Sequence, residues 1–120
     1  MLRFDLISIF PEYLAPLKLS LLGKAQEKGV ISINVHDLRD QTTDAHHSVD
    51  DTPYGGGAGM VLKIQPIVEC LNFIKSKIKN QKSKSRKTKI ILFSAKGKKY
   101  TQVDAKRLAK YENIIMICGR

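Results

Sequence analysis

The sequence predicts an α/β protein with a mostly parallel sheet and flanking helices. Apolar, β-prone segments alternate along the chain with segments of helical periodicity, which is the order expected of strands joined by helical crossovers. Two of the strand-like segments are unbroken apolar runs, which are typical of strands in a parallel sheet. The 120 residues, 42% of them hydrophobic, suit a single globular domain.

The first half of the chain contains two predicted strands and one predicted helix. Residues 3–10 are apolar and β-prone and end at Pro11, so they form the first strand. Residues 17–28 have helical periodicity and are followed by Gly29, a common helix terminator. Residues 30–38 alternate between apolar and polar side chains, which predicts a second strand.

The second half contains two predicted helices and two predicted strands. Pro66 opens a helix whose core-facing stripe consists of Ile67, Cys70, Leu71, Ile74 and Ile78. Ile90 to Phe93 forms a short apolar run, which predicts a strand buried on both faces. Thr101 begins another helix, with Asp104 at the spacing of a capping box. Residues 114–118 predict a last buried strand.

The carboxyl ends of the predicted strands indicate where a ligand would bind. In parallel sheets, ligands bind beyond these ends, which here are Leu38, Ser94 and Cys118. We therefore expect the loop Phe93–Gly97 and the residues Cys118–Arg120 to lie side by side at one edge of the sheet.

The segment from Val49 to Met60 is the most unusual part of the sequence. It contains two aspartates, Thr-Pro-Tyr, three consecutive glycines and a fourth glycine two positions later. Glycine permits close approach of a ligand to the backbone but loses much conformational freedom on folding. The pattern lacks the Gly-Lys-Ser/Thr of a phosphate loop and the strand-to-helix position of a dinucleotide fingerprint. It predicts a backbone-lined pocket beside acidic side chains.

The net charge of +10 is concentrated in one region. Eight Lys or Arg residues lie between Lys75 and Lys89 with no acid among them, and Lys96, Lys98 and Lys99 follow. Such a patch is expected of a protein that contacts RNA phosphates. A solvated linker is the alternative interpretation of its most polar part.

The sequence also bears on the compartment. Asp5 interrupts what would be the apolar region of a signal peptide, and no apolar run has the length of a membrane span. We therefore expect an unprocessed cytoplasmic protein with no membrane partner. Cys70 and Cys118 are expected to be free thiols, because disulfides are rare in a reducing compartment.

Several motifs together resemble one family, the bacterial tRNA (guanine-N1)-methyltransferases. These motifs occur in the family's order along the whole chain: Arg3-Phe4-Asp5, Phe10-Pro11-Glu12, Arg39-Asp40, Thr43-Asp44, Val49 to Met60, Ser94 with Gly97, Leu108 to Asn113, and Cys118-Gly119-Arg120. The most specific of them is Asp-Asp-Thr-Pro-Tyr-Gly-Gly-Gly-Ala-Gly-Met.

The resemblance implies a knotted α/β domain of the SPOUT class, followed by a small helical domain, in an enzyme that works as a homodimer. Such an enzyme transfers a methyl group from S-adenosylmethionine to N1 of the guanine 3′ of the anticodon in tRNA. Residues 1–120 would be the N-terminal part of the cofactor-binding domain, cut before the knot is completed, and the C-terminal helical tRNA-binding domain would be absent from this chain. We expect this portion to bind the cofactor weakly at most and not to methylate tRNA.

The resemblance also implies site residues. The family's cofactor loops match here at Phe93, Ser94, Ala95, Lys96, Gly97, Cys118 and Gly119. Ala95 and Lys96 depart from the family's usual Pro-Gln, which keeps backbone contacts but puts a side-chain contact at Lys96 in doubt. The guanine would be held by Tyr54, Gly55, Gly56, Gly57 and Gly59. The family's catalytic Asp and Arg lie beyond Arg120, and Asp50 is a weak candidate for the base within this chain.

Two other functions remain open at this point. A metal-dependent phosphoesterase would use His36, His46, His47 and neighbouring aspartates, although their spacing matches no compact metal motif. An RNA-binding module without catalysis would use the basic segment. The sequence also leaves open whether Mg²⁺ assists the methyltransferase reaction.

Overall fold

The computed structural model describes residues 2–41, 50–51, 61–62, 64–79 and 87–119. Within these ranges the chain forms, in order, β1 (Leu2–Ser8), α1 (Ser20–Glu27), β2 (Ile31–Asp37), β3 (Asp50–Asp51), β4 (Val61–Leu62), α2 (Ile64–Lys79), β5 (Thr88–Leu92), α3 (Gln102–Leu108) and β6 (Asn113–Ile117). Two 3₁₀ helices, Pro11–Lys18 and Leu38–Gln41, precede α1 and follow β2.

A four-stranded sheet of order β2-β1-β6-β5 organises the fold, and all of its neighbouring strands are parallel. This arrangement confirms the predicted α/β class. The helix α2 covers one face, where Cys70, Ile74 and Ile78 pack in one buried cluster with sheet residues. Those sheet residues include Ile7, Ile115 and Ile117.

The helix α3 lies against the opposite face, where Leu108 lines the same groove as Ile91 and Ile114. Its start confirms the predicted capping box, because Asp104 accepts hydrogen bonds from the Thr101 amide at 2.9 Å and the Thr101 hydroxyl at 3.0 Å.

The predicted burial of Ile90–Phe93 on both faces is wrong. In the described structure β5 is an edge strand, with β6 as its partner on one side. Ile90, Leu92 and Phe93 are 40%, 65% and 54% exposed. The apolar run identified a strand correctly, but composition alone does not show whether a neighbouring element covers it.

The first helix is shorter than predicted. The chain forms the 3₁₀ helix with Pro16 inside it, becomes extended at Leu19, and begins α1 at Ser20. Pro16 has no amide hydrogen to give to a continuous α-helix. Gly23 fits beside this junction because a Cβ there would lie 2.3 Å from the Lys18 carbonyl oxygen.

The strands β3 and β4 pair antiparallel, with Asp50 opposite Leu62 and Asp51 opposite Val61. The two ends of the Gly-rich segment are therefore adjacent. Residues 42–49 and 52–60, including Tyr54 and the four glycines assigned to substrate binding, lie outside the described residues.

A buried ionic cluster links β1 to β2. Asp5 is fully buried and accepts hydrogen bonds from Arg3 Nε at 2.8 Å and Arg3 Nη2 at 3.1 Å. His36 Nε2 of β2 lies 2.8 Å from Asp5 Oδ1. Burial alone would raise the pKa of Asp5, but its bonds to His36 and Arg3 outweigh this and hold the pKa below its usual value.

We predict that Asp5→Asn lowers the free energy of unfolding by about 3 kcal/mol, because it leaves the buried guanidinium of Arg3 without a counter-charge. Urea denaturation measures the change. The exposed Glu27→Gln, which removes the same charge, serves as the control and should change stability by less than about 0.5 kcal/mol. Equal stability of the two variants would show that the cluster contributes nothing.

The same cluster predicts acid sensitivity. Because the folded-state pKa of Asp5 is depressed, its contribution is fully present above the unfolded carboxyl pKa of about 3.9 and is lost as the pH falls through the lower folded value. The stability difference between the native chain and Asp5→Asn should therefore narrow with acidification below about pH 4. Denaturation curves across this range test the prediction, and a constant difference would contradict it.

Candidate functional site

Two loops meet at the carboxyl edge of the sheet. Since β5 and β6 are parallel neighbours, Phe93 and Cys118 leave the sheet at the same edge. The Phe93 amide donates a hydrogen bond to the Ile117 carbonyl at 3.1 Å, which extends the pairing into the loops. The predicted adjacency of Phe93–Gly97 with Cys118–Gly119 is confirmed, and Arg120 lies outside the described residues.

A cavity of about 390 Å³ lies between these loops. It is lined by Phe93, Ser94, Ala95, Cys118 and Gly119. The volume is within the range of small-molecule sites. Five of the seven residues assigned to the cofactor therefore surround one space.

The remaining two, Lys96 and Gly97, shape the first loop without lining this cavity. The Gly97 amide donates to the Ser94 carbonyl at 3.0 Å, and the Lys96 amide donates to Ser94 Oγ at 3.2 Å. A Cβ on Gly97 would lie 3.1 Å from the Ser94 carbonyl oxygen, so glycine keeps this turn tight. The Lys96 amide thus helps to hold the turn.

Gly119 has a different role. Among the described residues other than its chain neighbours, no atom lies within 4 Å of the position that a Cβ would occupy on this residue. The fold itself therefore has room for a side chain there. Since Gly119 lines the cavity, a side chain would instead occupy space that a ligand needs, and a bare backbone lets the ligand approach closely.

Cys118 is a protonated, packed thiol. Its amide donates to the Ile7 carbonyl at 2.9 Å, which anchors the residue at the end of β6. Burial raises the pKa of the Cys118 thiol above its ordinary value. The thiol thus contributes shape to the cavity, because a thiolate would be needed for nucleophilic chemistry.

The chemistry of this lining is that of a binding site. It offers an aromatic ring, backbone groups, one hydroxyl and one thiol, and none of its five residues is a carboxylate or a histidine. Such a surface can hold and orient a flat, partly apolar ligand. Proton transfer requires a group from another part of the protein.

The other predicted site residues do not line this cavity, are described only by their backbone, or lie outside the described residues. Asp50 lies in β3, where its backbone is described. His36 is bonded to Asp5, while His46 and His47 lie outside the described residues. Across the ranges 2–41, 50–51, 61–62, 64–79 and 87–119, no three His, Cys, Asp or Glu side chains form a group able to hold a metal ion.

A second, cationic cavity contains two lysines of the predicted basic patch, Lys89 and Lys98, but the sequence did not predict that they line one cavity with Arg107. It has a volume of about 270 Å³ and is lined in part by Lys89, Lys98, Tyr100 and Arg107. The adjacent residues Lys98-Lys99-Tyr100 could have indicated a basic site beside an aromatic ring. The contribution of Arg107 depends on how α3 packs and is not evident from the sequence. A further property of the described helices is that none is both long and apolar enough to cross a bilayer.

Comparison with known proteins identifies relatives over nearly all of this sequence. The model of the family described as "tRNA (Guanine-1)-methyltransferase TrmD" matches residues 2–120. A tRNA (guanine-N(1)-)-methyltransferase of Arthrobacter sp. (strain FB24) is 50% identical over 119 residues, which cover 99% of this chain and 43% of the relative. The equivalent proteins of Thermobifida fusca (strain YX) and Clostridium acetobutylicum are 48% and 43% identical, covering 99% and 98% of this chain and 44% and 46% of the relatives.

The chain therefore spans less than half the length of these curated relatives. The match to the family model nevertheless extends from the start of β1 to the last residue, and it includes both loops of the 390 Å³ cavity. On this basis the chain belongs to the tRNA (guanine-1)-methyltransferase family.

Proposed function

We propose that this chain is the N-terminal part of the cofactor-binding domain of a tRNA (guanine-N1)-methyltransferase. In this proposal the 390 Å³ cavity between Phe93–Ala95 and Cys118–Gly119 holds S-adenosylmethionine. The enzyme transfers the methyl group to N1 of the guanine 3′ of the anticodon. The observation that carries the proposal is the convergence of both family cofactor loops on one cavity at the carboxyl edge of a parallel sheet.

The residues of the cavity fit such a ligand. S-adenosylmethionine supplies an electrophilic methyl group bound to a positively charged sulfur. Phe93 offers an apolar surface, Ser94 and Ala95 offer the backbone of a tight turn, and Gly119 leaves the opposite wall open to close approach. By fixing the donor, these residues convert methyl transfer into a reaction between positioned partners.

The acceptor chemistry requires a further group. N1 of guanine carries a proton at neutral pH, and a carboxylate is suited to accept it as the nitrogen attacks. Because none of the five described residues that line the cavity is a carboxylate, we propose that the base is a different residue. The resemblance favours an Asp beyond Arg120 over Asp50, with Tyr54 and the glycines at 55–57 and 59 holding the guanine.

We further propose tRNA as the substrate, a homodimer as the working assembly and the cytoplasm as its location. The names of the relatives support the substrate. Tyr13 and Leu21, which are 77% and 78% exposed, support burial of the segment Pro11–Glu27 against a second subunit. An RNA-binding role without catalysis is the second candidate for these 120 residues alone, and the cationic cavity favours it.

We predict that S-adenosylmethionine protects Cys118 from iodoacetamide. The ligand would cover the thiol in the cavity, so the rate of alkylation should fall at least about tenfold at saturating ligand. Mass spectrometry of tryptic peptides gives the rate at each cysteine. Cys70 is an internal control, because it is 1% exposed and burial, with the charges of Asp40 and Asp5, raises its pKa to about 11.

Labelling of Cys118 at an unchanged rate would place the cofactor elsewhere. Protection by ATP equal to that by S-adenosylmethionine would show a general nucleotide site and would also reject the proposal. Because we expect this chain to bind S-adenosylmethionine weakly, the ligand is titrated up to millimolar concentration.

We predict that the 120-residue chain does not methylate tRNA, whereas its fusion to the remaining C-terminal part of the Arthrobacter relative does. Loss of a general base alone costs a factor of about 10² to 10⁴ in rate. Transfer of a radiolabelled methyl group to tRNA measures turnover. Parallel reactions with and without Mg²⁺ determine whether the metal contributes.

Turnover by the 120-residue chain equal to that of the fusion would place the base within this sequence, among Asp44, Asp50 and Asp51. An inactive fusion that binds S-adenosylmethionine and tRNA would contradict the proposed reaction. Circular dichroism of both proteins verifies folding before the comparison.

A further inference from the structure

The cationic cavity lies beside the 390 Å³ cavity but has a different character. Lys89 of β5, Lys98 of the following loop and Arg107 of α3 reach it from three elements. These residues are separated in sequence and converge only because α3 packs against the sheet next to β5. Such convergence distinguishes the cavity from a run of neighbouring surface lysines.

The cavity retains a positive charge despite one carboxylate. Asp104 lies 3.2 Å from Arg107 Nη2 and 4.0 Å from Lys98 Nζ. Its other bonds go to Thr101, where it caps α3, and the bonds from Thr101 and Arg107 hold the pKa of Asp104 below its usual value. One negative charge thus faces three positive charges.

The cations remain accessible to an incoming anion. The side chains of Lys98 and Arg107 are 87% and 52% exposed, and exposed ion pairs are weak. A phosphate can therefore bind without breaking a strong internal interaction. The surrounding surface is also basic, since exposed lysines flank the cavity along the chain at positions 96, 99, 106 and 110.

An exposed aromatic ring adjoins these charges. Tyr100 is 65% exposed and lines both the cationic cavity and an apolar groove of about 470 Å³. Phe93, 54% exposed, lines the same two spaces. Cations beside exposed aromatic rings are the combination with which proteins bind unpaired nucleic acid strands, whose phosphates meet the charges and whose bases stack.

We propose that this cavity binds a phosphate of an unpaired RNA segment, with an adjacent base stacked on Tyr100. The proposal rests on the proposed function only in taking RNA as the substrate, and it adds a contact surface next to the cofactor cavity, with which it shares Phe93 and Ser94. A free phosphate would satisfy the three cations but would leave exposed the ring of Tyr100, which does not line the cofactor cavity. For this reason RNA fits the surface better.

The test measures how RNA affinity depends on salt. The probe is a fluorescent RNA hairpin with an unpaired, guanine-containing loop, titrated with the 120-residue chain at several salt concentrations. The variant Lys89→Gln/Lys98→Gln/Arg107→Gln removes three positive charges from the cavity. For single strands each lost phosphate contact lowers the slope of log K against log salt by about 0.7, so loss of the one phosphate held in the cavity should lower the slope by about 0.7.

A matched control removes the same charge elsewhere. Lys18, Lys24 and Lys28 are exposed residues near α1 and β2, at the other side of the sheet. Their triple Gln variant should keep the native slope to within about 0.2. An equal fall in both triples would show general attraction to a basic protein and would overturn the proposal.

Tyr100 has its own test. Tyr100→Leu should lower RNA affinity about tenfold at unchanged salt slope, because stacking is lost and charge is not. Linear polyphosphate should bind Tyr100→Leu and the native chain equally. An unchanged RNA affinity of Tyr100→Leu, or an unchanged slope of the cavity triple, would contradict the proposal.

Two further measurements distinguish the RNA contact from unfolding of the triple variant and from the cofactor proposal. Lys98→Gln alone, at a position whose side chain is 87% exposed, should lower the slope in the same direction as the triple variant, by no more than about 0.7. The cavity triple should also show native protection of Cys118 by S-adenosylmethionine. A lower salt slope of the triple variant, with unchanged protection of Cys118, supports the RNA contact independently of the cofactor proposal.

Discussion

Parallel pairing of β6 with β1 on one side and β5 on the other is the constraint on which the site depends. It brings the carboxyl ends of β5 and β6 to one edge, and the bond from the Phe93 amide to the Ile117 carbonyl carries the pairing into the loops. The burial of Ile115 and Ile117 beneath α2 fixes β6 in this position. The two loops that line the cavity are therefore brought together by the parallel pairing of β5 and β6.

The charged residues differ in burial and in net charge between the two sides of the sheet. At β1 and β2 the charges are buried and compensated, with Asp5 between Arg3 and His36. At β5 and α3 they are exposed and in excess, with Lys89, Lys98 and Arg107 around a single Asp104. Removing one partner of a buried, compensated pair is strongly destabilising, whereas exposed excess positive charge attracts a polyanion. The sheet therefore has one basic side.

The sequence predicted features that depend on local chemistry. The capping box at Thr101 and Asp104, the strand at Ile114–Ile117 and the adjacency of the two loops follow from residue types and from the geometry of parallel sheets. Features that depend on packing were not predictable in this way. The exposure of Leu92 depends on which strand lies beside β5, and the arrival of Arg107 next to Lys89 depends on the position of α3. Likewise, Asp5 was interpreted as an interruption of an apolar segment and as part of the motif Arg3-Phe4-Asp5. Neither interpretation predicted its buried contact with His36, which is 31 residues away.

The central claim is that the cavity between the two loops is the cofactor site, and Gly119 permits its most direct test. Apart from its chain neighbours, no atom of the described residues lies within 4 Å of a Cβ at this position, so we expect Gly119→Val to fold like the native chain while filling the cavity. Calorimetric titration with S-adenosylhomocysteine, together with thermal unfolding, measures both properties. We expect at least a tenfold loss of affinity with an unchanged melting temperature. Native affinity in a folded Gly119→Val variant would contradict the assignment of the cofactor to this cavity.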